Sequence, residues 1–308
     1  MISATNLSLA TSAAATASSL AAGDFAYVVG LVGQEAAIEV GPDKHYLVEQ
    51  RLSALARQQG LDSVGQLLAR ARADASGRTG ALIVDAMTTN ETSFFRDPTM
   101  FEFLRAELIP EIIERNRATR TLRIWCGATS SGQEPYSLTM LLREHFPEVF
   151  DTWRVRILAS DISPTMVART RAGRYGRIEV NRGLPANLLV KHFTRDGLEW
   201  EIDERMRRMV ETREINLARP FNLAERFDLV LLRNVLIYFS VDTKRAVLGR
   251  VRQCLAPGGA LFLGSSESTM QIDDTWVRRA YGNISCYQPD GPVAPVAQRT
   301  GTDFKDAR

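Results

Sequence analysis

The apolar positions in the first third of the chain repeat at helical spacing. Within residues 24–87 they recur every three or four positions, and Val48, Leu52 and Leu55 form one stripe on the second of four expected helices. Such a stripe is stable only when neighbouring helices cover it. The pattern therefore predicts a small all-helical domain, which we place at residues 23–88.

Turn and capping residues indicate where these helices begin and end. Asp24 is expected to cap the first helix, and Gly41-Pro42-Asp43 should break the chain so that Asp43 caps the second. Gly60 should end the second helix. Two further amphipathic segments, Leu61 to Ala73 and Thr79 to Met87, complete the predicted domain.

A connector is predicted over residues 89–120. Asp97-Pro98 is typical of a helix start, because proline fits the first turn of a helix. The apolar residues that follow at helical spacing are Phe101, Leu104, Leu108 and Ile112. The connector is therefore expected to be helical.

Beyond the connector the pattern changes to short apolar runs with turn or polar residues beside them. The four runs predicted as strands are Leu122 to Cys126, Val155 to Ser160, Phe227 to Leu232 and Ala260 to Gly264. Helical segments are predicted between them at about 135–146, 163–172 and 241–255. Alternating strands and helices are typical of a doubly wound parallel sheet, so the fold class predicted for residues 121–288 is α/β.

One region departs from this alternation. Within residues 193–217, Trp200 and Ile202 alternate with acidic residues, and Gly197 lies at a turn. A period of two favours strands that expose one face. We therefore predict a small antiparallel insertion in one crossover of the main sheet.

Composition narrows the classes of protein that fit this pattern. Hydrophobic residues make up 45% of the 308 residues and charged residues 24%, as in ordinary globular proteins. The formal net charge of +2 implies no broad positive field, so no nucleic-acid partner is expected. Cys126, Cys254 and Cys286 are widely spaced, which fits neither zinc nor disulfides and indicates a reducing cytosol. The histidines are equally scattered, so no metal is expected.

The two ends of the chain differ from the rest. Residues 1–22 are rich in Ala, Ser and Thr and lack charge, so they lack the basic start of a signal peptide, and we predict a disordered leader. The Pro- and Gly-containing tail, residues 289–308, is predicted to be flexible. No run reaches the roughly 18 apolar residues of a spanning helix, so no direct membrane insertion is expected.

The segment Leu122 to Tyr136 is the first candidate for chemistry. A predicted strand leads into a turn of small residues between Gly127 and Gly132, and a helix opens at Glu134-Pro135. This is the layout of a nucleotide-type cofactor loop, in which glycines let the backbone approach the ligand. The glycine spacing is not that of a dinucleotide GxGxxG loop. From the residues alone, a structural turn and a cofactor loop remain equally open.

A second segment, Thr88-Thr89-Asn90-Glu91-Thr92-Ser93-Phe94-Phe95-Arg96, supplies amides, hydroxyls and a guanidinium just upstream. Together with Ser130-Ser-Gly-Gln-Glu-Pro-Tyr-Ser137, it resembles the CheR family. These are the S-adenosylmethionine (SAM)-dependent methyltransferases of bacterial chemotaxis receptors. The resemblance runs from about Ile38 to about Tyr287. It departs at Gln133, where the family often has another glutamate.

The resemblance implies an architecture and a set of site residues. The helical domain should precede a Rossmann-like methyltransferase domain with a small antiparallel β-subdomain at about 175–217. Tyr238 should face the substrate as the catalytic candidate. The residues implied to contact the cofactor are Asn90, Thr92, Arg96, Glu134, Asp161, Asn216, Leu217, Arg233 and Asn234.

For several of these residues a structural role remains open. Asp161 ends a predicted strand, where it could accept ribose hydroxyls or cap the helix near Ser163-Pro164. Asn234 could likewise be a capping residue. Tyr238 could be a buried structural tyrosine, and Arg96 could be a solvated surface arginine.

A basic segment in the helical domain is the candidate for receptor contact. Lys44 and Arg51 lie seven residues apart on the second predicted helix, close to one face. The family turns a basic helix toward the acidic methylation region of the receptor. The resemblance therefore implies that Lys44, Arg51 and Arg57 face the receptor, and Arg70 could extend this patch. A solvated stripe is the alternative.

The function implied by the resemblance is protein-glutamate O-methylation for sensory adaptation. The products would be glutamate 5-O-methyl esters on cytoplasmic receptor domains and S-adenosylhomocysteine (SAH). No general base is needed, because a glutamate with a pKa near 4.3 is already an anion at neutral pH. The protein is expected to be cytosolic and monomeric. The alternatives are a methyltransferase acting on a small molecule or nucleic acid, and a non-catalytic SAM- or receptor-binding regulatory module.

Overall fold

The computed structural model describes residues 20–282 and 284–291. They divide into two compact units: residues 20–31 with Val40–Met87, and Val32–Glu39 with the described residues from 88 onward. The predicted leader lies outside the described residues except for 20–22, and the predicted tail except for 289–291. Each predicted segment overlaps a regular element by one residue, because Ala22 begins the first helix and Pro289 ends the last strand.

The first unit is helical, as the apolar spacing predicted. Its helices are α1 (Ala22–Ala36, counted with the second unit from Val32), α2 (His45–Gln58), α3 (Val64–Ala73) and α4 (Arg78–Met87). The predicted stripe is confirmed, since Val48 and Leu52 are fully buried and Leu55 nearly so. Gly60 follows the end of α2 in the left-handed conformation, with a φ of 68°.

Both predicted aspartate caps are wrong. The first helix starts at Ala22, so Asp24 lies within its first turn, and its carboxylate pairs with Arg72 at 2.7 Å. Asp43 lies in a 3-10 turn that Pro42 begins, and α2 follows without a side-chain cap. The start of α3 also differs from the prediction, because Ser63 caps it by accepting a hydrogen bond from the Gln66 amide at 3.2 Å.

The predicted connector is helical. It consists of α5 (Pro98–Phe103), a π-helical turn (Leu104–Leu108) and α6 (Ile109–Arg115). Asp97 precedes α5 with a left-handed backbone, at a φ of 63°, and its side chain makes no capping hydrogen bond. Its carboxylate binds Arg233 instead.

The remaining elements of the second unit alternate between strands and helices. The strands are β1 (Thr121–Gly127), β2 (Arg154–Asp161), β3 (Arg174–Gly176), β4 (Phe193–Asp196), β5 (Glu199–Ile202), β6 (Val210–Glu214), β7 (Phe227–Leu232), β8 (Leu255–Leu263), β9 (Trp276–Tyr281) and β10 (Ile284–Pro289). The helices are α7 (Gln133–His145), α8 (Pro147–Thr152), α9 (Pro164–Ala172), α10 (Arg177–Val180), α11 (Ala186–His192), α12 (Glu204–Met209) and α13 (Val241–Cys254).

The main sheet is mixed. Among the described residues it has seven strands in the order β6-β2-β1-β7-β8-β10-β9. The neighbours from β6 to β8 are parallel, whereas β10 is antiparallel to both β8 and β9. The predicted parallel core is therefore confirmed, and the antiparallel β9–β10 edge was not predicted. Its strands are too polar to stand out as apolar runs, since Arg278 and Arg279 interrupt β9.

The inserted sheet is smaller than predicted. β3, β5 and β4 form a three-stranded antiparallel sheet, and Gly197 (φ 61°) turns β4 into β5. β6, which we assigned to this insertion, instead pairs with β2 in the main sheet. The sequence could not separate β6 from the insertion, because β6 follows β5 closely in the chain and the pattern within a strand does not say which neighbour it pairs with. The fold class is otherwise confirmed: an all-helical unit precedes an α/β unit with a small antiparallel sheet.

None of the helices among the described residues is long and apolar enough to cross a membrane.

Candidate active site

A cleft lies at the carboxyl ends of the central parallel strands. β1 ends between β2 and β7, with Gly127 paired to Ser160 and Leu232. The residues directly after or at these strand ends that line the cleft are Ala128, Asp161 and Arg233. About 920 Å³ of empty space lies within it, including open solvent. The carboxyl edge of such a sheet is where ligands bind.

The structure brings all ten residues named from the resemblance to this one cleft. They are Asn90, Thr92, Arg96, Glu134, Asp161, Asn216, Leu217, Arg233, Asn234 and Tyr238. They come from segments far apart in the chain, which the sheet topology places together. Their contacts with a ligand stay a prediction.

The Asp161 carboxylate organises the loop after β1. Oδ2 accepts a hydrogen bond from the Ser130 amide at 2.7 Å, and Oδ1 accepts one from the Ser163 amide at 3.0 Å. The cap of α9 is Ser163, whose hydroxyl accepts from the Met166 amide. The alternative role of Asp161 as the helix cap is therefore wrong.

Arg233 joins two acidic residues in the wall of the cleft. Its side chain is only 3% exposed; Nη1 donates to Glu134 at 2.7 Å and Nη2 donates to Asp97. Burial lowers the pKa of Arg233, but Glu134 and Asp97 outweigh burial and raise it overall. The guanidinium therefore holds Glu134 in place, in addition to the cofactor contact implied for Arg233.

Direct hydrogen bonds join the two sequence motifs. The Ser130 hydroxyl donates to the Asn90 carbonyl at 2.8 Å, and the Phe95 amide donates to the Ser137 hydroxyl at 2.9 Å. Phe94 is a core residue, fully buried against Tyr175 and Phe193. The segment 88–96 is thus fixed against the loop that opens α7.

Arg96 and Tyr238 are far apart in the sequence, and both line the cleft. Arg96 is half-buried, and its Nη1 donates to a neutral acceptor, the Glu91 carbonyl, at 3.3 Å. A guanidinium in this setting is suited to bind a ligand carboxylate. Tyr238 ends a 3-10 turn that follows β7 and is also half-buried. Arg96 is therefore not a fully solvated surface arginine, and Tyr238 is not a fully buried structural tyrosine.

Asn216 makes protein contacts that the sequence did not predict. Its Nδ2 donates to the Glu35 carbonyl at 2.6 Å, and its Oδ1 accepts from the Ala218 amide at 3.0 Å. Leu217, beside it, is buried in an apolar cluster. These contacts attach residues 32–39 to the cleft, and Ala36 and Ile38 line it. No motif in the sequence indicated this wall.

The two glycines that bracket the loop are closely packed. A Cβ on Gly127 would lie 2.9 Å from a Leu232 methyl carbon, and one on Gly132 would lie 2.8 Å from a Thr170 methyl carbon. Gly132 also has a φ of 94°. Neither glycine is among the lining residues, and the expectation that they let the backbone approach the ligand stays a prediction.

Left-handed backbone is concentrated around the cleft. Ala128, Ser130 and Asn234 line it with φ values of 54°, 53° and 58°, and Phe95 and Asp97 flank Arg96 in the same conformation. Such residues cost conformational energy and persist only where the surrounding structure fixes them. The hydrogen bonds of Ser130 and Asp97 described above supply that constraint.

The described residues that line the cleft include no histidine, cysteine or lysine. Cys126 lies nearby in β1, where burial raises the pKa of its thiol well above the usual value. Within the described part of the chain, no cluster of histidine, cysteine and acidic residues could hold a metal ion. The chemistry of the cleft therefore depends on amides, hydroxyls, acids and arginines.

The three residues proposed to face a receptor have different environments in the first unit. Lys44 precedes α2 instead of lying on it, because the 3-10 turn occupies that position; it pairs with Asp43 at 2.9 Å. Arg51 is half-buried and donates to the Met87 carbonyl at 2.6 Å, at the end of α4. Arg57 is exposed. The assumption that Lys44 and Arg51 share one helical face is therefore wrong.

Two family models match the chain. The model described as CheR methyltransferase, all-alpha domain, matches residues 23–88, and the model described as CheR methyltransferase, SAM binding domain, matches residues 90–282. The chain belongs to the CheR methyltransferase family. Of the sequence motifs that first suggested this family, the one at 88–96 spans the boundary between the two matched regions, and the one at 130–137 lies within the SAM binding domain.

Curated relatives agree with this assignment. The chain is 42% identical over 240 residues to chemotaxis protein methyltransferase 1 of Pseudomonas aeruginosa. The aligned region covers 77% of this chain and 87% of the relative. It is 41% identical over 240 residues to chemotaxis protein methyltransferase Cher2 of Pseudomonas putida, with the same coverage. It is 40% identical over 245 residues to chemotaxis protein methyltransferase 1 of Vibrio cholerae, covering 77% and 86%.

Proposed function

We propose that this chain transfers the methyl group of SAM to glutamate side chains of chemotaxis receptors. The products would be glutamate 5-O-methyl esters and SAH, and the modification would serve sensory adaptation. One observation carries the proposal: all ten residues at the family's motif positions line a single cleft at the carboxyl edge of the sheet. The names of the relatives support chemotaxis receptors as the substrate.

The side chains in the cleft suit the parts of SAM. Arg96 would bind the carboxylate of the methionine portion, because a half-buried guanidinium pairs well with a carboxylate. Asp161 would accept ribose hydroxyls at the end of the second strand. Ile162, Ile215 and Leu217 offer apolar surface for the adenine ring. No metal is part of this proposal.

The chemistry requires placement more than acid–base catalysis. When bound, SAM supplies a methyl group on a positively charged sulfur that is a good leaving group. The acceptor carboxylate is already ionised at neutral pH. The protein must therefore orient the carboxylate and exclude water from it. Tyr238, half-buried on the cleft wall, would contact the acceptor side.

Recognition of the receptor is proposed to involve the first unit. Lys44 and Arg57 are exposed there and could attract the acidic methylation region of a receptor. Arg51 would contribute through its hydrogen bond to Met87, by fixing α2 against α4. We place the reaction in the cytosol, consistent with three free, buried cysteines, and the monomeric state stays a prediction.

Transfer of tritium from methyl-labelled SAM to purified receptor cytoplasmic domains tests the proposal. We expect label in the receptor that mild base releases as methanol, because carboxyl methyl esters are labile to base. Label that survives base would indicate another acceptor atom. SAH binding without transfer to any receptor domain would favour the non-catalytic alternative.

A further inference from the structure

The carboxylate of Glu267 accepts three main-chain hydrogen bonds beside the cleft. Oε2 accepts from the Gly264 amide at 2.6 Å and from the Asn234 amide at 2.7 Å. Oε1 accepts from the Ile237 amide at 3.2 Å. The Glu267 amide also donates to the Gly264 carbonyl. One side chain therefore joins the turn after β8 to the loop after β7.

The loop after β7 needs such a support. It contributes Arg233, Asn234 and Tyr238 to the cleft, yet it is neither helix nor strand until the 3-10 turn Leu236–Tyr238. Asn234 is left-handed, and the 3-10 turn has no side-chain cap. Two amides of this short loop are bound by Glu267, one on each side of Val235. The positions of Asn234 and Tyr238 are thus coupled to one carboxylate.

Gly264 allows the two segments to approach. A Cβ at this position would lie 2.7 Å from Glu267 Oε2 and 2.9 Å from the Asn234 amide nitrogen. Both distances are too short for any larger residue. The close contact between the β7 loop and the β8 turn therefore depends on a glycine and a glutamate three residues apart, in Gly264-Ser-Ser-Glu267.

We propose that Glu267 is a positioning residue for methyl transfer, which fixes the Asn234–Tyr238 loop so that Tyr238 meets the acceptor. This inference rests on the proposed function. An ionised carboxylate only accepts hydrogen bonds, so it can satisfy all three amides. Glutamine would present its own NH₂ group to at least one of those amides. Glu267 is not among the residues that line the cleft and would act through the loop alone.

Amide hydrogen exchange tests the geometry without turnover. In Glu267→Gln, at least one of the Asn234, Gly264 and Ile237 amides should exchange about tenfold faster or more, the effect of losing roughly one hydrogen bond. The amides of β7 should keep their protection. The matched control is Glu179→Gln, which alters a half-buried carboxylate that accepts the Gly176 amide at 3.0 Å in the inserted region. It should leave the three amides unchanged.

Kinetics separate positioning from general destabilisation. Glu267→Gln should lower kcat for receptor methylation about tenfold or more. It should weaken SAH binding by a smaller factor, because Asn234 is only one of several residues implied to contact the cofactor. Tyr238→Phe should likewise lower kcat more than it weakens SAH binding. Glu179→Gln should keep the wild-type kcat. Unchanged exchange at the three amides, or faster exchange across all of β7, would overturn the inference, as would a wild-type kcat. Failure of the wild-type protein to methylate any receptor would instead reject the proposed function, and exchange would still decide the role of Glu267.

Discussion

The cleft of the second unit and the basic residues of the first unit show two ways in which charge is used. In the cleft, Arg233 is 3% exposed and binds two carboxylates, and Asp161 is 5% exposed and binds two amides. In the first unit, Lys44 is 46% exposed and pairs with its neighbour Asp43. Buried charges must be matched by fixed partners, whereas exposed charges are screened by salt and do not depend on one particular partner.

This difference determines what each region can do. The cleft residues are held by the protein before any ligand arrives, so they are preorganised for a small molecule of defined shape. The exposed basic residues keep their mobility and act on a partner through attraction at a distance. Changes in the cleft should therefore alter stability, SAH binding or turnover, and changes to the exposed charges of the first unit should alter only receptor encounter.

Removing Arg233 should have the largest effect. Arg233→Met leaves Glu134 buried without its cation, and the free energy of unfolding should fall by about 3–5 kcal/mol, as for other broken buried pairs. Urea denaturation measures this loss. Arg174→Met is the control. Arg174 binds three carboxylates but is 35% exposed, so the loss of unfolding free energy in this variant should be far smaller. Equal stabilities of the two variants would contradict the comparison.

Asp161 should have the next largest effect, and it should appear in ligand binding. Asp161→Ala should weaken SAH binding by about 1–3 kcal/mol, since buried polar partners lose their acceptor. Calorimetry on the folded variant measures this change. Asp228→Ala is the matched control: Asp228 is equally buried and accepts the Arg123 amide at 2.9 Å, at the opposite end of the sheet. Loss of affinity in both variants would remove the ribose assignment of Asp161.

The pH dependence of the rate should be weak. No described lining residue is a histidine, cysteine or lysine, and the acids beside Arg233 raise its pKa, so it stays charged. The acceptor glutamate is ionised above about pH 5. Methylation rates at saturating SAM should therefore be flat from about pH 6 to 8 and fall only in acid. A rate that rises steeply with a midpoint near 7 would reveal a catalytic base outside this set.

Reversal of the exposed basic residues should have the smallest effect. Lys44→Glu with Arg57→Glu should raise the apparent KM for receptor several-fold at low salt and leave SAH affinity unchanged. Arg51 is left intact, because its hydrogen bond to Met87 would confuse the result. The control, Arg117→Glu with Arg208→Glu, changes the net charge equally at side chains that are both 74% exposed. Equal KM changes in the two double variants would show that Lys44 and Arg57 form only a solvated stripe with no specific role in receptor contact.

The sequence predicted the parallel core because its strands are continuous apolar runs, which few other structures require. It could not place β6, since alternation of apolar and polar residues does not say which neighbour a strand pairs with. The ten cleft residues came from family motifs. The partners that hold them did not, because the Arg233–Asp97 pair spans 136 residues and the Asn216–Glu35 hydrogen bond spans 181. Such contacts follow from topology, which no local spacing records.

The position of the transferred methyl group tests the central claim most directly. The wild-type protein would be incubated with a receptor cytoplasmic domain and SAM deuterated on its methyl group, and receptor peptides mapped by mass spectrometry. The account predicts the labelled methyl on glutamate side chains, its loss as methanol in mild base, and little transfer by Asp161→Ala at low SAM. Label on any other residue type, or no label while SAH still binds, would contradict it.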